Sequence, residues 1–341
     1  MKLLMQSIAV CLIFFIAVPA LAVGIWGDFG SEQKEGTGTE KAVAARIKPP
    51  SEIKVWKENE GRLVSVDFEE YVTCVAASEM PCSFESEALK AQSVAARTFA
   101  MSKLEKYEQK KPAAHPTAPL CSSTHCQVYK TEEELIACHP DGWGTSADGF
   151  KKIKKACKET QGQLLYYDGQ LVMQPLFFSS SGGQTENSED VFVSAVPYLL
   201  SVASPYEEEA THRNEQKSFT LSELSEKLRA VFPEKSFGSI DRDSIRILSR
   251  TAGGRVDRIQ IGEVSLKGTE LRNALGLSST LFSLSFEEPS DKNGKQTKAV
   301  FTSNGSGHGV GMSQYGANGM AKKGADYREI LTHYYSGTEV L

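Results

Sequence analysis

Glu79 is an acidic residue whose surroundings suit acid or base chemistry. It follows the apolar segment that starts at Val75 and precedes Pro81, which disfavours helical geometry at Met80. We therefore expect Glu79 on a loop between a strand-like segment and a long helix. Apolar neighbours would raise the pKa of its carboxyl, as a general acid near neutral pH requires. The structural alternative is an acid held by the dipole of the next helix.

A second group of reactive side chains lies between His115 and Cys126. His115, Cys121, His125 and Cys126 supply two sulfurs and two imidazoles within twelve residues. Thiolate and neutral imidazole both suit zinc, so this segment could wrap around such an ion. The spacing matches no standard zinc finger, and a Cys121–Cys126 disulfide is the alternative. We expect a metal here to clamp the loop, although three protein ligands would leave a position open for Lewis-acid catalysis.

The remaining cysteines leave their pairing open. The sequence has seven, of which Cys11 lies in an apolar N-terminal run. Cys74 and Cys82 flank the acidic turn, where a bridge would pin it, and two buried free thiols are the alternative. Cys138 and Cys157 could pair in an oxidising compartment. Spacing alone does not give the connectivity.

Two loops rich in glycine and small polar residues are candidates for ligand contact. The first, residues 179–187, follows a hairpin whose turn Asp168-Gly169 has the residue types of a type I′ turn. The second, residues 305–316, places four glycines around His308. Glycine adds no core contacts, so this density favours a close approach between backbone and ligand. The second loop is not a phosphate loop, because the Lys-Ser/Thr pair is missing.

The elements that must position these residues follow from local patterns. Residues 87–103 contain no Gly or Pro and are rich in Ala, Leu, Gln and Lys, which predicts a helix with Ser86 as its N-cap. Residues 53–56 and 63–66 predict a hairpin. The C-terminal segment 327–335 predicts a helix, as does the stretch that ends at Lys323.

A change of pattern predicts a small α+β insertion at residues 218–286. Thr220 and Glu223 form a capping box at the start of a helix. A hairpin follows, and then a helix that Thr269 could cap and that ends before Gly276. We expect this insertion to dock a partner or to cover one side of the cleft.

The N-terminal composition indicates an exported protein. No charged residue occurs from Leu3 to Gly27, a length that can span a bilayer as a helix. A signal peptide cleaved near Ala22 is the alternative, and in either case the body of the protein would be extracytoplasmic. Residues 28–50 have the composition of a flexible linker. The net charge of -5 gives no indication of nucleic-acid binding.

Three blocks of this sequence together resemble the stage II sporulation protein D family, which are lytic transglycosylases of bacterial peptidoglycan. The first block is Ala77-Ser78-Glu79-Met80-Pro81 with Ala88-Leu89-Lys90-Ala91-Gln92 and Ala95-Ala96-Arg97-Thr98. The second is the loop at residues 179–187 with Val196-Pro197-Tyr198-Leu199, and the third is the glycine-rich loop around His308. They occur in the family's order, and the resemblance spans roughly residues 53 to 340.

The resemblance implies roles for particular residues. Glu79 would be the catalytic acid/base. The implied substrate contacts are Gln92, Arg97, Ser181, Thr185, Tyr198, His308 and Gln314. Some members carry a His-x5-Cys-x5-Cys zinc site, which implies His115, Cys121 and Cys126 as ligands here. Only four residues separate the two sulfurs in this chain, so His125 is a substitute or fourth ligand. We expect the zinc to be structural.

The resemblance also implies a cellular setting. The protein would be a single-pass cell-membrane protein with its catalytic domain outside the cytoplasm. It would act on peptidoglycan glycan strands during engulfment in sporulation. Its implied partners are the cell-wall amidase stage II sporulation protein P, which strips stem peptides, and stage II sporulation protein M.

A single carboxyl is sufficient for the implied reaction. Ordinary glycoside hydrolysis uses two carboxylates. In a lytic transglycosylase the muramic acid's own 6-hydroxyl attacks the anomeric carbon, so one acid/base serves both proton transfers. We expect cleavage between N-acetylmuramic acid and N-acetylglucosamine with 1,6-anhydro ends. The alternatives are a non-catalytic peptidoglycan-binding activator of an amidase and a zinc amidase or peptidase, which the absence of His-Glu-x-x-His disfavours.

These observations predict an α+β fold with helices and short antiparallel strands around a cleft. The N-terminal anchor or signal would occupy residues 1–27 and the linker residues 28–50. The catalytic core would comprise residues 51–217, with the zinc loop, and residues 287–341, separated by the insertion at 218–286.

Overall fold

The structure is a computed structural model that describes residues 47–138, 147–192, 194–288 and 297–341. The predicted anchor, residues 1–27, and most of the predicted linker lie outside the described residues. In the described part of the chain, no helix combines the length and apolar character needed to cross a membrane.

Nine helices and fourteen strands occur in the described residues. The helices are α1 (Phe68–Glu79), α2 (Ser86–Gln109), α3 (Glu132–Cys138), α4 (Ala147–Glu159), α5 (Ser188–Val191), α6 (Leu221–Val231), α7 (Gly268–Leu275), α8 (Gln314–Lys322) and α9 (Tyr327–Tyr334). The strands are β1 (Glu52–Lys57), β2 (Arg62–Asp67), β3 (Leu120–Cys121), β4 (Leu165–Tyr167), β5 (Gln170–Leu171), β6 (Phe177–Phe178), β7 (Glu215–Thr220), β8 (Ile245–Arg250), β9 (Val256–Ile261), β10 (Val264–Lys267), β11 (Phe282–Glu287), β12 (Lys298–Ser303), β13 (Met312–Ser313) and β14 (Thr338–Val340). Helices and several small, mainly antiparallel sheets confirm the predicted α+β class.

The predicted N-terminal hairpin is present. Strands β1 and β2 pair antiparallel along their whole length, and Gly61 takes a left-handed conformation in the turn between them. Strand β3 adds to β1 in parallel, with Leu120 beside Val55 and Cys121 beside Trp56. One cysteine of the His/Cys segment is therefore fixed on a sheet.

Helix α2 is the central element of the larger hydrophobic core. Helices α1, α4, α8 and α9 pack against it. Leu89, Ala96 and Ala100 of this helix are fully buried, and the small alanine side chains let neighbouring helices approach closely. The predicted N-cap was wrong by one position: Ser86 is the first helical residue, and the N-cap is Glu85, whose side chain makes no capping bond.

Two small sheets bring the later motifs together. The β4–β5 turn has φ of 48° at Asp168 and 71° at Gly169, which confirms the predicted hairpin turn. Strand β14 pairs with β4. Strand β6 pairs in parallel with β13, and bridges join Ser180 to Ser306 and Glu186 to Val310. The hydroxyl-rich loop after β6 and the glycine-rich loop before β13 therefore lie side by side.

A second hydrophobic cluster lies in the region of the predicted insertion. Its buried residues come from α6, α7 and from two three-stranded sheets, β11-β12-β7 and β10-β9-β8. The Thr220–Glu223 capping box is present. Helix α7 ends at Gly276 as predicted, but its N-cap is Lys267 rather than Thr269. The domain boundaries themselves stay a prediction.

Candidate active site and metal centre

Glu79 is the last residue of helix α1 rather than part of a loop after a strand. The helix begins at the N-cap Asp67, whose carboxylate accepts a hydrogen bond of 2.9 Å from the Glu70 amide. It ends because Met80, before Pro81, is extended, with φ of -128° and ψ of 140°. The predicted strand before Glu79 was therefore wrong, and the predicted effect of the proline on Met80 is confirmed.

The Glu79 carboxyl lies in a poorly solvated position with one directed hydrogen bond. Its Oε1 accepts a hydrogen bond of 2.9 Å from the Val128 backbone amide. Burial raises the pKa of Glu79, and the hydrogen bond from Val128 offsets part of that effect. Among the residues that the structure describes, no salt bridge involves Glu79. Its pKa is therefore set mainly by loss of water rather than by a charged partner.

The turn after Glu79 packs against the third sequence block. The rings of Phe84 and Tyr315 meet edge to face with centroids 5.1 Å apart. The Glu85 amide donates a hydrogen bond of 2.8 Å to Oδ1 of Asn318 on α8. The first and third blocks, which are more than 200 residues apart in sequence, therefore form one site.

Gln92 and Arg97, which the family resemblance implies as substrate contacts, are both fully buried in α2. Gln92 Oε1 lies 3.5 Å from Nε2 of Gln314, so these two predicted site residues are brought together by a long contact. Arg97 donates from Nε and Nη2 to the two carboxylate oxygens of Glu69, at 2.9 and 2.7 Å. Its other donors reach the carbonyl oxygens of Ser93, Gln163 and Cys157.

These contacts favour a structural role for Arg97. A guanidinium offers five N–H donors, and backbone and carboxylate oxygens surround all three of its nitrogens here. The pair is not an ordinary surface ion pair, because the Arg97 side chain is 0% exposed and the Glu69 side chain only 25%.

The second block forms a bonded loop. Ser181 and Thr185 are fully buried. The Thr185 hydroxyl donates to the Val202 carbonyl at 3.2 Å and accepts from the Val202 amide at 2.8 Å. The Tyr198 hydroxyl accepts hydrogen bonds of 3.1 and 3.2 Å from the amides of Met173 and Gln174. These side chains hold the loop's backbone in place, and a role in contacting glycan stays a prediction.

His308 lies in the third block with both ring nitrogens engaged. Nε2 is 3.1 Å from the Phe177 carbonyl, and Nδ1 accepts a hydrogen bond of 3.1 Å from the Val310 amide. This pair of contacts assigns the proton to Nε2. Burial lowers the pKa of His308 to about 4. The rings of Phe178 and Phe192 lie beside it, with centroids 5.4 and 5.7 Å away, and Phe192 is 43% exposed.

Four side chains of the His/Cys segment converge on one point. The ligand atoms of His115, Cys121, His125 and Cys126 all lie within 4.8 Å of one another. The His115 Nε2 to His125 Nδ1 distance is 3.2 Å. The Cys126 sulfur is 3.5 Å from His115 Nε2 and 3.7 Å from His125 Nδ1, and the Cys121 sulfur is also 3.7 Å from His125 Nδ1.

These separations fit a tetrahedral zinc ion. Zn–N bonds of about 2.0 Å and Zn–S bonds of about 2.3 Å place neighbouring ligand atoms about 3.3–3.8 Å apart in a tetrahedron. The cluster can therefore hold a metal, with His125 as the fourth ligand atom beside the predicted three. Cys121 and Cys126 are free thiols rather than a disulfide.

The other cysteine pairings that the sequence left open are not formed. Cys74 is a buried free thiol, so the bridge between Cys74 and Cys82 is absent. Cys138 is an exposed free thiol and Cys157 a buried one, which lies 3.0 Å from the Ser93 hydroxyl.

Two features of the site were missed by sequence reasoning. Gln127 lies between the last metal-ligating candidate and Val128, and its Nε2 donates to the Tyr71 hydroxyl at 3.0 Å and to the Ala96 carbonyl at 3.3 Å. Glu207 is a buried carboxylate on which both motif loops converge. A lone glutamine and one member of a run of three glutamates carry no sequence signal for such roles.

The fold and site define an α+β protein with a desolvated carboxyl, a His/Cys cluster and two interlocked motif loops. A family model described as a stage II sporulation protein matches residues 57–167. A second model, described as a domain of unknown function, matches residues 193–311. The stage II sporulation protein D of Bacillus subtilis (strain 168) is 39% identical over 85% of this chain and 79% of its own length.

Two further relatives extend this comparison. The stage II sporulation protein D of Bacillus amyloliquefaciens is 36% identical over 85% of this chain and 79% of its own length. The amidase enhancer of Bacillus subtilis (strain 168) is 29% identical over 77% of this chain and 39% of that protein. The chain belongs to the stage II sporulation protein D family, as the three sequence blocks indicated.

Proposed function

We propose that this protein is a lytic transglycosylase that cleaves peptide-stripped peptidoglycan strands, with Glu79 as its acid/base. The observation that carries the proposal is the Glu79 carboxyl, whose burial raises its pKa and whose position is fixed by the Val128 amide. A raised pKa favours the protonated form of the carboxyl, which is the form that a general acid needs. Membership of a sporulation protein family supports a role in the cell wall during sporulation.

The proposed reaction uses one carboxyl twice. Glu79 gives its proton to the glycosidic oxygen while the bond from that oxygen to the anomeric carbon of N-acetylmuramic acid breaks. The resulting carboxylate takes the proton of the sugar's 6-hydroxyl while O6 bonds to the same carbon. A 1,6-anhydro ring and a free 4-hydroxyl on N-acetylglucosamine result, and Glu79 is protonated again. No second carboxylate is required, unlike ordinary hydrolysis.

The motif loops support binding of a glycan through their backbone. The side-chain hydroxyls of Ser181, Thr185 and Tyr198 are already hydrogen-bonded to backbone groups or to a carboxylate. Gln314 is buried at the start of α8. We infer that these residues shape the loops, and that sugar hydroxyls approach the glycine-rich backbone beside His308.

The zinc in this proposal is structural. His115, Cys121, His125 and Cys126 would hold it, and four protein ligands close a tetrahedral site. When bound, the ion cross-links the loop between residues 115 and 126 to the sheet at Cys121. Cys126 is followed by Gln127, bonded to α1 and α2, and by Val128, bonded to Glu79. The chain itself thus positions the amide that orients the carboxyl.

The proposed setting follows from the family. The chain would be anchored in the cell membrane by residues 1–27 with its catalytic part outside the cytoplasm. Stage II sporulation proteins P and M are the proposed partners, because an amidase that strips peptides would generate the substrate.

A second candidate function is a non-catalytic peptidoglycan-binding activator of an amidase. The similarity to the amidase enhancer favours it. In that case Glu79 would do no chemistry, and the loops would only bind glycan.

Product analysis separates the two candidates. Peptide-free glycan strands are incubated with the protein, with Glu79→Gln and with Glu70→Gln, an exposed carboxylate on the same helix. Anhydro-ended sugars from the wild type and Glu70→Gln, but not from Glu79→Gln, are the expected result. Products unaffected by Glu79→Gln would place the acid elsewhere, and no product from any form would favour the activator.

A further inference from the structure

Glu207 is a buried carboxylate that receives hydrogen bonds from three separate chain segments. The amides of Ser181 and Gly182 each donate to Oε2 at 2.9 Å, and the Ser181 hydroxyl donates to Oε1 at 2.8 Å. The Ser204 hydroxyl donates to Oε1 at 2.8 Å. The Ser313 hydroxyl is also bonded to Oε1. Such charge-assisted bonds are about twice as strong as neutral ones.

All of these donors except the Ser204 hydroxyl belong to the two motif loops. Ser181 and Gly182 lie in the hydroxyl-rich loop, whereas Ser313 ends β13 and is the N-cap of α8. The Ser313 oxygen accepts a hydrogen bond of 3.1 Å from the Gly316 amide, so the contact with Glu207 orients the cap itself. Gln314, which touches Gln92, follows directly. Glu207 therefore sets the hydroxyl-rich loop relative to the start of α8.

The absence of a side chain at Gly316 leaves room for the groups that contact Glu207. A Cβ at Gly316 would lie 2.0 Å from the Tyr334 hydroxyl, 2.3 Å from the Ser204 hydroxyl and 3.1 Å from Glu207 Oε1. Only glycine leaves room for these groups to meet. The Ser204 hydroxyl is also hydrogen-bonded to the Tyr334 hydroxyl at 2.7 Å, which holds the Ser204 side chain in position to donate to Glu207.

The residue before Glu207 has an unusual backbone conformation. Tyr206 has φ of 66°, a conformation that a bulky residue rarely adopts. Its side chain is 45% exposed. The neighbouring helix comes so close that a Cβ at Gly319 would lie 2.1 Å from the Tyr206 carbonyl oxygen. Strain of this kind persists only where surrounding contacts hold it and often marks a functional position.

We propose that Glu207 is a positioning residue of the site, which locks the Ser181–Gly183 loop and the N-terminus of α8 into one arrangement. The inference rests on the proposed function, since the locked loops are those inferred to receive the glycan. In the described part of the chain, Glu207 is hydrogen-bonded to Ser181, Gly182, Ser204 and Ser313 and not to Glu79, so it acts through these donors. Serine hydroxyls suit the task because they can donate to the carboxylate and still accept from an amide.

The test compares Glu207→Gln with Glu208→Gln, an exposed neighbour in the same run of glutamates. The glutamine side chain has nearly the same shape as glutamate. Its NH₂ group is a donor, however, and cannot accept the hydrogen bonds that one carboxylate oxygen of Glu207 accepts. Two measurements are made: hydrogen exchange at individual amides, and cleavage and binding of peptide-free glycan strands. Thermal unfolding of both variants is followed, so that measurements are made where each is folded.

We expect Glu207→Gln to increase exchange at least tenfold at Ser181, Gly182 and Gly316, and to weaken glycan binding and cleavage at least tenfold. Glu208→Gln should resemble the wild type in every measurement. Gly316→Ala, which pushes the same groups apart, should reproduce the Glu207→Gln pattern.

Several outcomes overturn the inference. Exchange at these three amides equal to the wild type would show that Glu207 does not lock the loops. Faster exchange with unchanged glycan binding and cleavage would show that the lock does not serve the site. If the wild type binds glycan without cleaving it, the proposed transglycosylase activity fails, while exchange and binding in the variants still decide the role of Glu207.

Discussion

The carboxylate of Glu79 accepts a hydrogen bond from the amide of Val128 across a distance of 2.9 Å. Val128 lies two residues beyond Cys126, one of the four residues that can hold a metal. The residue between them, Gln127, is bonded to both helices that flank the site. Three consecutive residues thus join the His/Cys cluster, the core and the carboxyl, which connects the cluster physically to Glu79.

Replacing Glu79 by glutamine is expected to reduce glycan cleavage by about 10²–10⁴-fold, the range for loss of a general acid. The amide still accepts the Val128 hydrogen bond but cannot give up a proton. In the wild type, kcat/KM should fall as pH rises through the raised pKa of Glu79. Initial rates of anhydro-sugar release over a pH series measure both effects. A variant that keeps the wild-type rate and pH profile would contradict the assignment.

The same substitution is expected to stabilise the fold at neutral pH. Burial raises the folded-state pKa of Glu79 above its unfolded value, so the folded state binds this proton more tightly. The stability that this proton contributes is present at pH below the unfolded value of about 4.3 and is lost as pH rises through the folded pKa. Glutamine, which never ionises, avoids that loss.

Thermal unfolding of the wild type and Glu79→Gln between pH 4 and 8 checks this. The difference in Tm should be near zero at the acid end and should grow in favour of the variant as pH increases. Glu70→Gln, exposed on the same helix, should show no such trend. A variant that is less stable than the wild type at pH 8 would mean that the ionised carboxylate is well accommodated.

Loss of the metal-binding cluster is expected to destabilise the protein. Zinc binding free energy adds to folding free energy where the site forms only on folding. Cys121→Ser, Cys126→Ser and His125→Ala should each lower bound zinc, measured by elemental analysis, and should lower Tm by more than about 5 °C. Cys138→Ser removes an exposed thiol outside the cluster and should change neither.

The zinc content and Tm of His125→Ala distinguish a metal site closed by four protein ligands from an open site with three. If His125→Ala retains zinc and Tm while the cysteine variants lose both, then only three protein ligands hold the ion. Equal losses for all three variants agree with the tetrahedral separations measured between the four side chains.

Much of the site could be predicted because its residues lie in short motifs with local rules. Pro81 fixed the end of the segment that carries Glu79, and Asp168-Gly169 fixed a turn through its need for positive φ. The helical state of the residues before Glu79 was missed. Their alternation of small and apolar residues resembles a buried strand, and only packing of α1 against α2 decides the outcome.

The other features of the site depend on tertiary contacts between residues that are distant in sequence. Gln92 and Arg97 were assigned to the substrate through the family resemblance. Arg97 is buried against Glu69, which lies 28 positions earlier in the chain, and no local pattern indicates this pair. Glu207 went unnoticed because its partners Ser181 and Ser313 lie in loops that are distant in sequence. Such pairings arise from tertiary packing and leave no local pattern.

Removal of the Arg97 side chain tests whether its role is structural. Arg97 is 0% exposed and forms a two-point pair with Glu69. Breaking one side of a buried ion pair typically costs about 3–5 kcal/mol, because the remaining charge loses its partner. Arg97→Ala should therefore lower the free energy of unfolding by about that amount in urea denaturation. Arg62→Ala breaks an exposed pair with Glu60 and should cost at most about 1 kcal/mol.

Glycan kinetics with the same variants separate stability from binding. At a temperature where Arg97→Ala is still folded, a structural role predicts a KM close to that of the wild type. A raised KM together with unchanged unfolding would instead make Arg97 a substrate contact, as the family resemblance implied. Arg97→Lys adds a further distinction. Lysine keeps the charge but cannot form both bonds to Glu69, so it should recover only part of the lost stability.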